Sequence, residues 1–355
     1  MSRSAACQGE FVHELLTNVS RRPALHLPVM NVLITGGAGY IGSVTAQTVL
    51  ERGHNVVVLD DLSSGHRNAV PTAAVFVEAD IADKQAVVRA LQENAIDAVM
   101  HFAALSLVGE SMSNPIAYYR NNVGGSITLL EALGEAAVER FVLSSTAAVY
   151  GTPDSVPITE DAVLRPENVY GETKLTLERL LGWLARTSGL GYVALRYFNA
   201  AGATDLLGED HHPETHLIPL VLQAAAGKRA EVAQFGTDYD TPDGTAVRDY
   251  VHVRDLADAH VLALESISAG RGRAYNLGNG AGYSVKQVID TCKAVTGKRF
   301  AVRDAPRRAG DPAILVADSR KARDELGWSP RHEDLAEMID SAWRWHSANP
   351  DGYAN

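Results

Sequence analysis

Residues 31–42, NVLITGGAGYIG, constrain this chain more than any other stretch. Asn31-Val32-Leu33-Ile34 is a short apolar run that breaks at once into Thr35-Gly36-Gly37-Ala38-Gly39-Tyr40-Ile41-Gly42, the pattern of a buried strand ending in a glycine turn. Residues 43–52 then carry apolar side chains at helical spacing and stop at Gly53. Each glycine has a physical task in a phosphate cradle. Gly36 permits the tight turn, Gly39 lets the main chain approach a pyrophosphate, and Gly42 lets the helix pack against the sheet. The amino end of the helix supplies unpaired N–H groups and the positive end of its dipole. A second apolar run, residues 55–59, ends in Asp60, 18 positions beyond Gly42, where an acid can bond a ribose hydroxyl. Glycine triplets also occur in ordinary turns; strand before, helix after and acid at the next strand end together point to a dinucleotide. Asp61 follows Asp60 with no arginine beside them, which favours NAD over NADP, because a 2′-phosphate would face two carboxylates.

Beyond Asp60 the pattern alternates as in a parallel sheet. It predicts strands over 74–77, 98–102, 140–144 and 192–196, helices over 84–94, 115–137 and 172–186, and a loop over 199–208. The fold class expected is α/β, a Rossmann-type doubly wound parallel sheet with a smaller α/β substrate-binding domain. Residues 30–200 form the expected NAD-binding domain and 201–355 the second, with the strand-and-helix pattern of 247–264 able to pack back onto the first. Residues 1–29 read as an extension outside this fold. They lack the continuous apolar region of a signal peptide, carry Glu10, His13, Glu14, Arg21 and Arg22, and offer at most a helix over 11–19.

With 355 residues, 46% of them hydrophobic and 21% charged, the chain can bury a large core. A net charge of −11 argues against nucleic acid or an anionic membrane as a general partner, so an anionic substrate would need a local basic pocket. Two cysteines, Cys7 and Cys292, give neither a disulfide framework nor a metal spacing and suit the reducing cytoplasm. No apolar run approaches the length of a membrane span. No metal is implied.

Tyr170 and Lys174 are four apart where a helix begins, so their side chains share a face. A free phenol, with a pKa near 10, is too weakly acidic to serve as a base at neutral pH. An ammonium and a positively charged nicotinamide nearby would both favour the phenolate and make Tyr170 a general base. Such a pair is usually an exposed helix pair; here it follows a dinucleotide loop and a hydroxyl cluster at a strand end, as hydride chemistry on an alcohol needs. In that cluster Thr146 is the candidate for bonding the reacting sugar oxygen, with Ser144 and Ser145 nearer the cofactor.

These residues resemble the extended short-chain dehydrogenase/reductase family, and within it the 4-epimerases of UDP-hexoses. The likeness runs from Met30 almost to the carboxyl end. It rests on TGGAGYIGS, HFAAL, VGES, NNV, SSTAAVYG, YGETK, RYFNAAGA, GTAVRDYVHVRDLADAH, YNLG and RRAGDPA. The glycine loop and YxxxK mark only the superfamily; the two longest motifs are far more specific. The resemblance implies that Tyr40, Ile41, Asp60, Asp61, Asp80, Ile81, Phe102, Ala103, Ala104, Asn122 and Phe198 line an NAD site. It implies that Asn199, Leu217, Phe235, Arg248, Arg308 and Asp311 hold a UDP-sugar, the two arginines supplying the cations a diphosphate needs. The implied activity is reversible inversion at C4 of UDP-glucose and UDP-galactose through a 4-keto intermediate, with NAD retained. The implied assembly is a homodimer through the helices over 115–137 and 172–186.

A 4,6-dehydratase of the same family would carry Asp-Glu where this chain has Ala147 and Ala148, and a non-catalytic NAD-binding relative would commonly lack the Tyr or the Lys. Three departures bear on the ligands. Ser106 replaces a lysine that reaches the cofactor phosphates in some relatives, and His216 replaces an asparagine beside the uracil or diphosphate. Leu315 stands where a large Tyr excludes a 2-acetamido sugar and a small Cys or Ser admits it, which leaves N-acetylated and pentose UDP-sugars open.

Overall fold

The computed structural model of the protein describes residues 28–308 and 311–353, so the helix envisaged over 11–19 lies outside the described residues. Strand β1 (Asn31–Thr35) puts Val32 and Ile34 on one face and Leu33 on the other, all three buried, as a parallel strand covered on both sides requires. It leads through the glycine turn into α1 (Tyr40–Glu51) and β2 (Asn55–Asp60). There follow β3 (Val75–Glu78), α2 (Lys84–Glu93) and β4 (Ala98–His101). Next come α3 (Val108–Ser113), α4 (Pro115–Tyr118), α5 (Ser126–Glu135), β5 (Arg140–Thr146), α6 (Val169–Thr187) and β6 (Gly191–Tyr197). The caps are local: Asp83 accepts from the Ala86 N–H at the start of α2, and Asn168 from the Gly171 N–H at the start of α6.

From residue 199 the elements shorten. They are β7 (Asn199–Ala201), α7 (Leu217–Ala225), β8 (Glu231–Phe235), β9 (Val247–Arg248), β10 (Tyr250–His252), α8 (Val253–Ser266) and β11 (Gly272–Leu277). The chain continues with β12 (Tyr283–Ser284), α9 (Val285–Thr296), β13 (Ala301–Ala305), β14 (Ile314–Leu315), α10 (Arg320–Leu326) and α11 (Leu335–Ala348).

The main sheet has seven parallel strands in the order β3-β2-β1-β4-β5-β6-β11. Strand order reverses between β1 and β4, and a ligand crevice lies outside the carboxyl ends at such a switch point. One face is covered by α1, α8 and α10, through Ala46, Val49, Leu256, Ala259, Val261, Ala322 and Leu326, with Trp328 just beyond α10. The other is covered by α2, α5 and α6, through Val87, Leu91, Leu129, Leu133, Leu177 and Leu181. A separate core gathers Ile218, Val221, Leu222, Val288, Ile289, Cys292, Met338 and Ile339 from α7, α9 and α11.

The alternation expected from the sequence is present, and α8 does pack onto the sheet. The structure goes further: β11 joins the same sheet and α10 covers it, so the sheet draws on residues well beyond 200. Two local expectations change. The helix over 115–137 is broken into α4, a π-helical stretch Tyr119–Gly125 and α5, the wide turn carrying the buried Asn122, whose amide is fully engaged. The loop over 199–208 begins with β7, which pairs in parallel with β10. Among the described residues no helix is long and apolar enough to cross a membrane.

Leu256 is fully buried in the core beneath the sheet although it comes from the second half of the chain. Leu256→Ala should cost about 2–5 kcal/mol, read as a lower urea midpoint that moves for the whole chain rather than for the carboxyl-terminal half alone.

Candidate active site

The glycine turn is closed by contacts that leave no room for side chains. Gly36 has φ +70°, and a Cβ there would lie 2.5 Å from the Ala103 nitrogen. A Cβ on Gly42 would lie 2.2 Å from the Gly36 carbonyl oxygen, so this glycine clears the turn itself rather than the sheet. Gly39 meets nothing closer than 3.4 Å, and no side chain caps α1. This open, uncapped helix end fits a diphosphate.

Asp60 braces the cradle. Its two carboxylate oxygens accept the Ala38 and Leu62 N–H groups at 2.9 Å, leaving lone pairs for a ribose hydroxyl. Burial outweighs those donors and raises its pKa above the usual carboxylate range. Asp61 is exposed and bonds Ser63 in its own turn. Asp80 caps the Ala82 N–H, and Ile81 is buried against Gly125. At the end of β4 the N–H groups of Phe102 and Ala103 donate to the Thr35 carbonyl, Phe102 packs on His260, and Ala104 is half-buried. Asn122 spends both ends of its amide inside the protein, on Leu105, Asn121 and Thr173. It therefore holds the loop after β4 against α6. Tyr40 donates to the Gly202 carbonyl, and Ile41 packs beside it.

Across the switch point, β5 ends at Thr146 and α6 begins at Val169. Gly171 joins them, because a Cβ there would lie 2.5 Å from the Ala148 carbonyl oxygen. That approach brings Tyr170 at the start of α6 close to Thr146 at the end of β5. Lys174 is buried, donates to the Ser144 carbonyl at 2.9 Å, and has its Nζ 6.0 Å from the centroid of the Tyr170 ring. Ser144 Oγ is hydrogen-bonded to Tyr197 Oη. The acid–base balance differs from the sequence expectation that Lys174 helps to draw Tyr170 down. Burial pushes Tyr170 up to about 12, with only the neighbouring Thr146 hydroxyl working the other way, and burial pushes Lys174 down to about 8. The chain alone holds both groups towards their neutral forms.

Beneath them lies a buried network that sequence reasoning missed. Glu178 takes a hydrogen bond from Ser145 at 2.5 Å and pairs with Arg196 at 2.5 Å. Arg196 also reaches Tyr150, which donates to Asn276 on β11. Gly171 could have been noticed from its place in the first turn of a helix, where glycine is a poor former. Glu178 and Arg196 carried no local signal.

On the substrate side, Arg248 is paired with Asp311, and the Arg308 guanidinium lies 4.1 Å from the centroid of Phe235. Asn199 donates to the Asp249 carbonyl at 2.7 Å. Asp249, also missed, is buried and accepts the N–H groups of Asn279, Gly280 and Ala317; burial nonetheless raises it to about 6. Phe198 and Leu315 pack together on Val149, Tyr150, Ile158 and Leu175. Leu217 opens α7, and Ser106 is exposed. His216 turns its Nδ1 to Glu209 and Glu214, which overcome the cost of burial and push it up to about 10.

A nucleotide cradle at the switch point, faced by a Tyr–Lys pair and a strand-end threonine, is the architecture of a dehydrogenase-like enzyme. The chain belongs to the NAD dependent epimerase/dehydratase family, whose family model matches residues 32–278. It is 53% identical over 322 residues to UDP-glucose 4-epimerase of Corynebacterium glutamicum, covering 91% of this chain and 97% of that protein. A crystal structure of UDP-glucose 4-epimerase superposes with a TM-score of 0.89 at 50% identity, covering 92% of this chain and 100% of the other. The Bifidobacterium longum UDP-glucose 4-epimerase in complex with NAD+ and UDP gives 0.87 at 39% identity, covering 91% and 100%.

Lys174 has a definite pH signature. Its folded pKa of about 8 lies below the ordinary 10.5, so the stability it contributes is present above the unfolded value and is lost as pH falls through about 8. Lys174→Met should abolish that loss, raising the thermal midpoint relative to wild type more at about pH 7 than at about pH 10.

Proposed function

We propose that this chain interconverts UDP-glucose and UDP-galactose by inversion at C4 of the hexose, with NAD held throughout the cycle. The observation that carries the reading is Tyr170 at the start of α6, set beside Lys174 and facing Thr146 at the carboxyl end of β5, two strands along the sheet from β1 and its open glycine cradle. Residues 30–200 are proposed to supply most of the NAD site, and the part beyond 201 the UDP-sugar site.

When bound, NAD supplies reversible hydride exchange with C4 of the sugar and a positive charge in its oxidised form. That charge favours the Tyr170 phenolate which the chain by itself disfavours. Tyr170 Oη then takes the proton of the 4-hydroxyl and later returns it to the opposite epimer, while Thr146 orients the reacting oxygen. Lys174, held on the Ser144 carbonyl, fixes the electrostatics behind the phenol. Inversion requires the sugar to turn over between the two transfers. A diphosphate fixed by Arg248 and Arg308 serves as the tether, with Phe235, Asn199 and Leu217 on the uridine side. Ala147 and Ala148 put no carboxylate beside Thr146, which favours return of the hydride over loss of water. Leu315, intermediate in size, favours the sugars without an acetamido group.

We propose further that the protein is a homodimer through α4, the π-helical stretch, α5 and α6. Ile116 is 69% exposed and Trp183 60%, with Tyr119 and Ile127 also exposed on the same elements; together they form an apolar surface of the kind that marks an interface. A compartment that keeps two cysteines reduced, the cytoplasm, fits the composition.

NMR of UDP-galactose incubated without added cofactor should show UDP-glucose appearing while nucleotide bound to the protein remains NAD. Tyr170→Phe should lower turnover about 10²–10⁴-fold with NAD still bound. A 4-keto-6-deoxy product, or bound NAD with no turnover, would sink the assignment. The same assay with UDP-N-acetylgalactosamine should be markedly slower and should gain in Leu315→Ser. For the assembly, Ile116→Glu should convert a dimer to a monomer in sedimentation velocity; a wild-type monomer would overturn the dimer.

A further inference from the structure

The segment between β7 and α7 carries Glu209, His211, Glu214 and His216, none of them among the residues proposed to react with substrate. Their side chains converge, with one potential ligand atom from each lying within 4.8 Å of all the others. His211 Nδ1 is 3.1 Å from Glu209 Oε1 and 3.8 Å from Glu214 Oε2, and His216 Nδ1 is 2.8 Å and 3.0 Å from Oε1 of the same two acids. Zinc–ligand bonds of about 2.0–2.2 Å place tetrahedral neighbours roughly 3.3–3.6 Å apart, so the four side chains already stand at about the spacing such a site needs.

Burial and charge point the same way. The carboxylate side chains of Glu209 and Glu214 are only 8% and 5% exposed, and among the described residues no lysine or arginine is paired with either. Buried charges are paired or coordinate metals. Two neutral imidazoles, two carboxylates and one divalent ion sum to zero, so an ion would take over the neutralisation that protonated histidines otherwise supply. Oxygen and imidazole donors in a four-coordinate set suit zinc or its neighbours rather than magnesium or calcium, which take more oxygens.

We propose that Glu209, His211, Glu214 and His216 form a structural site for one divalent transition-metal ion of the zinc class. The site braces a seam. His211 lies edge-on to Tyr40, the first residue of α1 in the nucleotide cradle, at 6.4 Å between ring centroids, and His216 is the residue before α7. Just before His211, Asp210 accepts from the Tyr353 N–H at 2.9 Å, and its carbonyl bonds His66 at 2.9 Å. An ion here would tie the helix of the cradle to the helix that opens at Leu217, and its contribution would be to stability rather than to proton or hydride transfer.

The test uses the untagged full chain with its bound nucleotide, loaded with zinc chloride, dialysed and assayed by mass spectrometry of the metal. About one zinc per chain should survive dialysis, and Glu214→Gln or His211→Asn should each retain less than about one fifth of it. Chelation should lower the wild-type thermal midpoint by at least about 4 °C, restored by zinc and not by magnesium. Cobalt(II) should give the intense visible bands of a four-coordinate site in the wild type, a readout that stands even where a variant fails to fold. Zinc at background in the loaded wild type, equal zinc in wild type and both variants, or a weak six-coordinate cobalt spectrum would each overturn the proposal and leave the cluster a network of ion pairs.

Discussion

The buried pair between Glu178 and Arg196 is the interaction on which the placement of the reactive groups depends. Glu178 sits on α6, the helix that carries Tyr170 and Lys174; Arg196 sits on β6, and Ser145 on β5 completes the carboxylate's bonds. A charge-assisted, multiply bonded pair in a dry place resists sliding, because shifting one partner by a turn would leave an unpaired charge in the interior. Through Tyr150 and Asn276 the same network reaches β11. One helix is thereby held in register with three strands of the sheet, directly below the point where chemistry is proposed.

That rigidity sets the electrical character of the site. Removing water raises the phenol and lowers the ammonium, so the phenol stays neutral in the resting chain and Lys174 gives up its proton more readily than a free lysine. A cationic cofactor ring then has a large effect, since little solvent is present to screen it. Buried His101, held between Thr35 and Ser126 and pushed down to about 3 by burial and by Lys174, adds no compensating positive charge. Such a site is switched by what binds to it.

Much of this was legible in residues 31–42 and 169–174, because local backbone demands leave local marks: glycines where a Cβ would collide, an acid at a strand end, two side chains one helical turn apart. Strand and helix alternation gave the sheet, and the second apolar pattern at 247–264 gave α8. What stayed hidden was non-local. Glu178 and Arg196 look like any surface pair until a strand and a helix 18 residues apart in sequence are brought together. The π-helical widening around Asn122 depends on partners at Leu105 and Thr173, and the expected single helix over 115–137 had no way to register them. The cluster at 209–216 escaped because attention to cysteine spacing misses sites built from histidine and glutamate. The sheet membership of β11 likewise has no mark in its own residues.

The late arrival of that strand matters while the chain is being made. Tyr197 at the end of β6 waits for Leu277 as its partner, 80 residues downstream (277 − 197), which takes about 4–16 s at ordinary rates of synthesis. Through that interval the nascent sheet presents a bare parallel edge, and edges of that kind recruit whatever strand is nearest. The helices α8 and α10 that seal one face emerge after β6 as well. The nucleotide-binding domain that emerges from the ribosome is therefore unfinished until β11 and α10 have been translated.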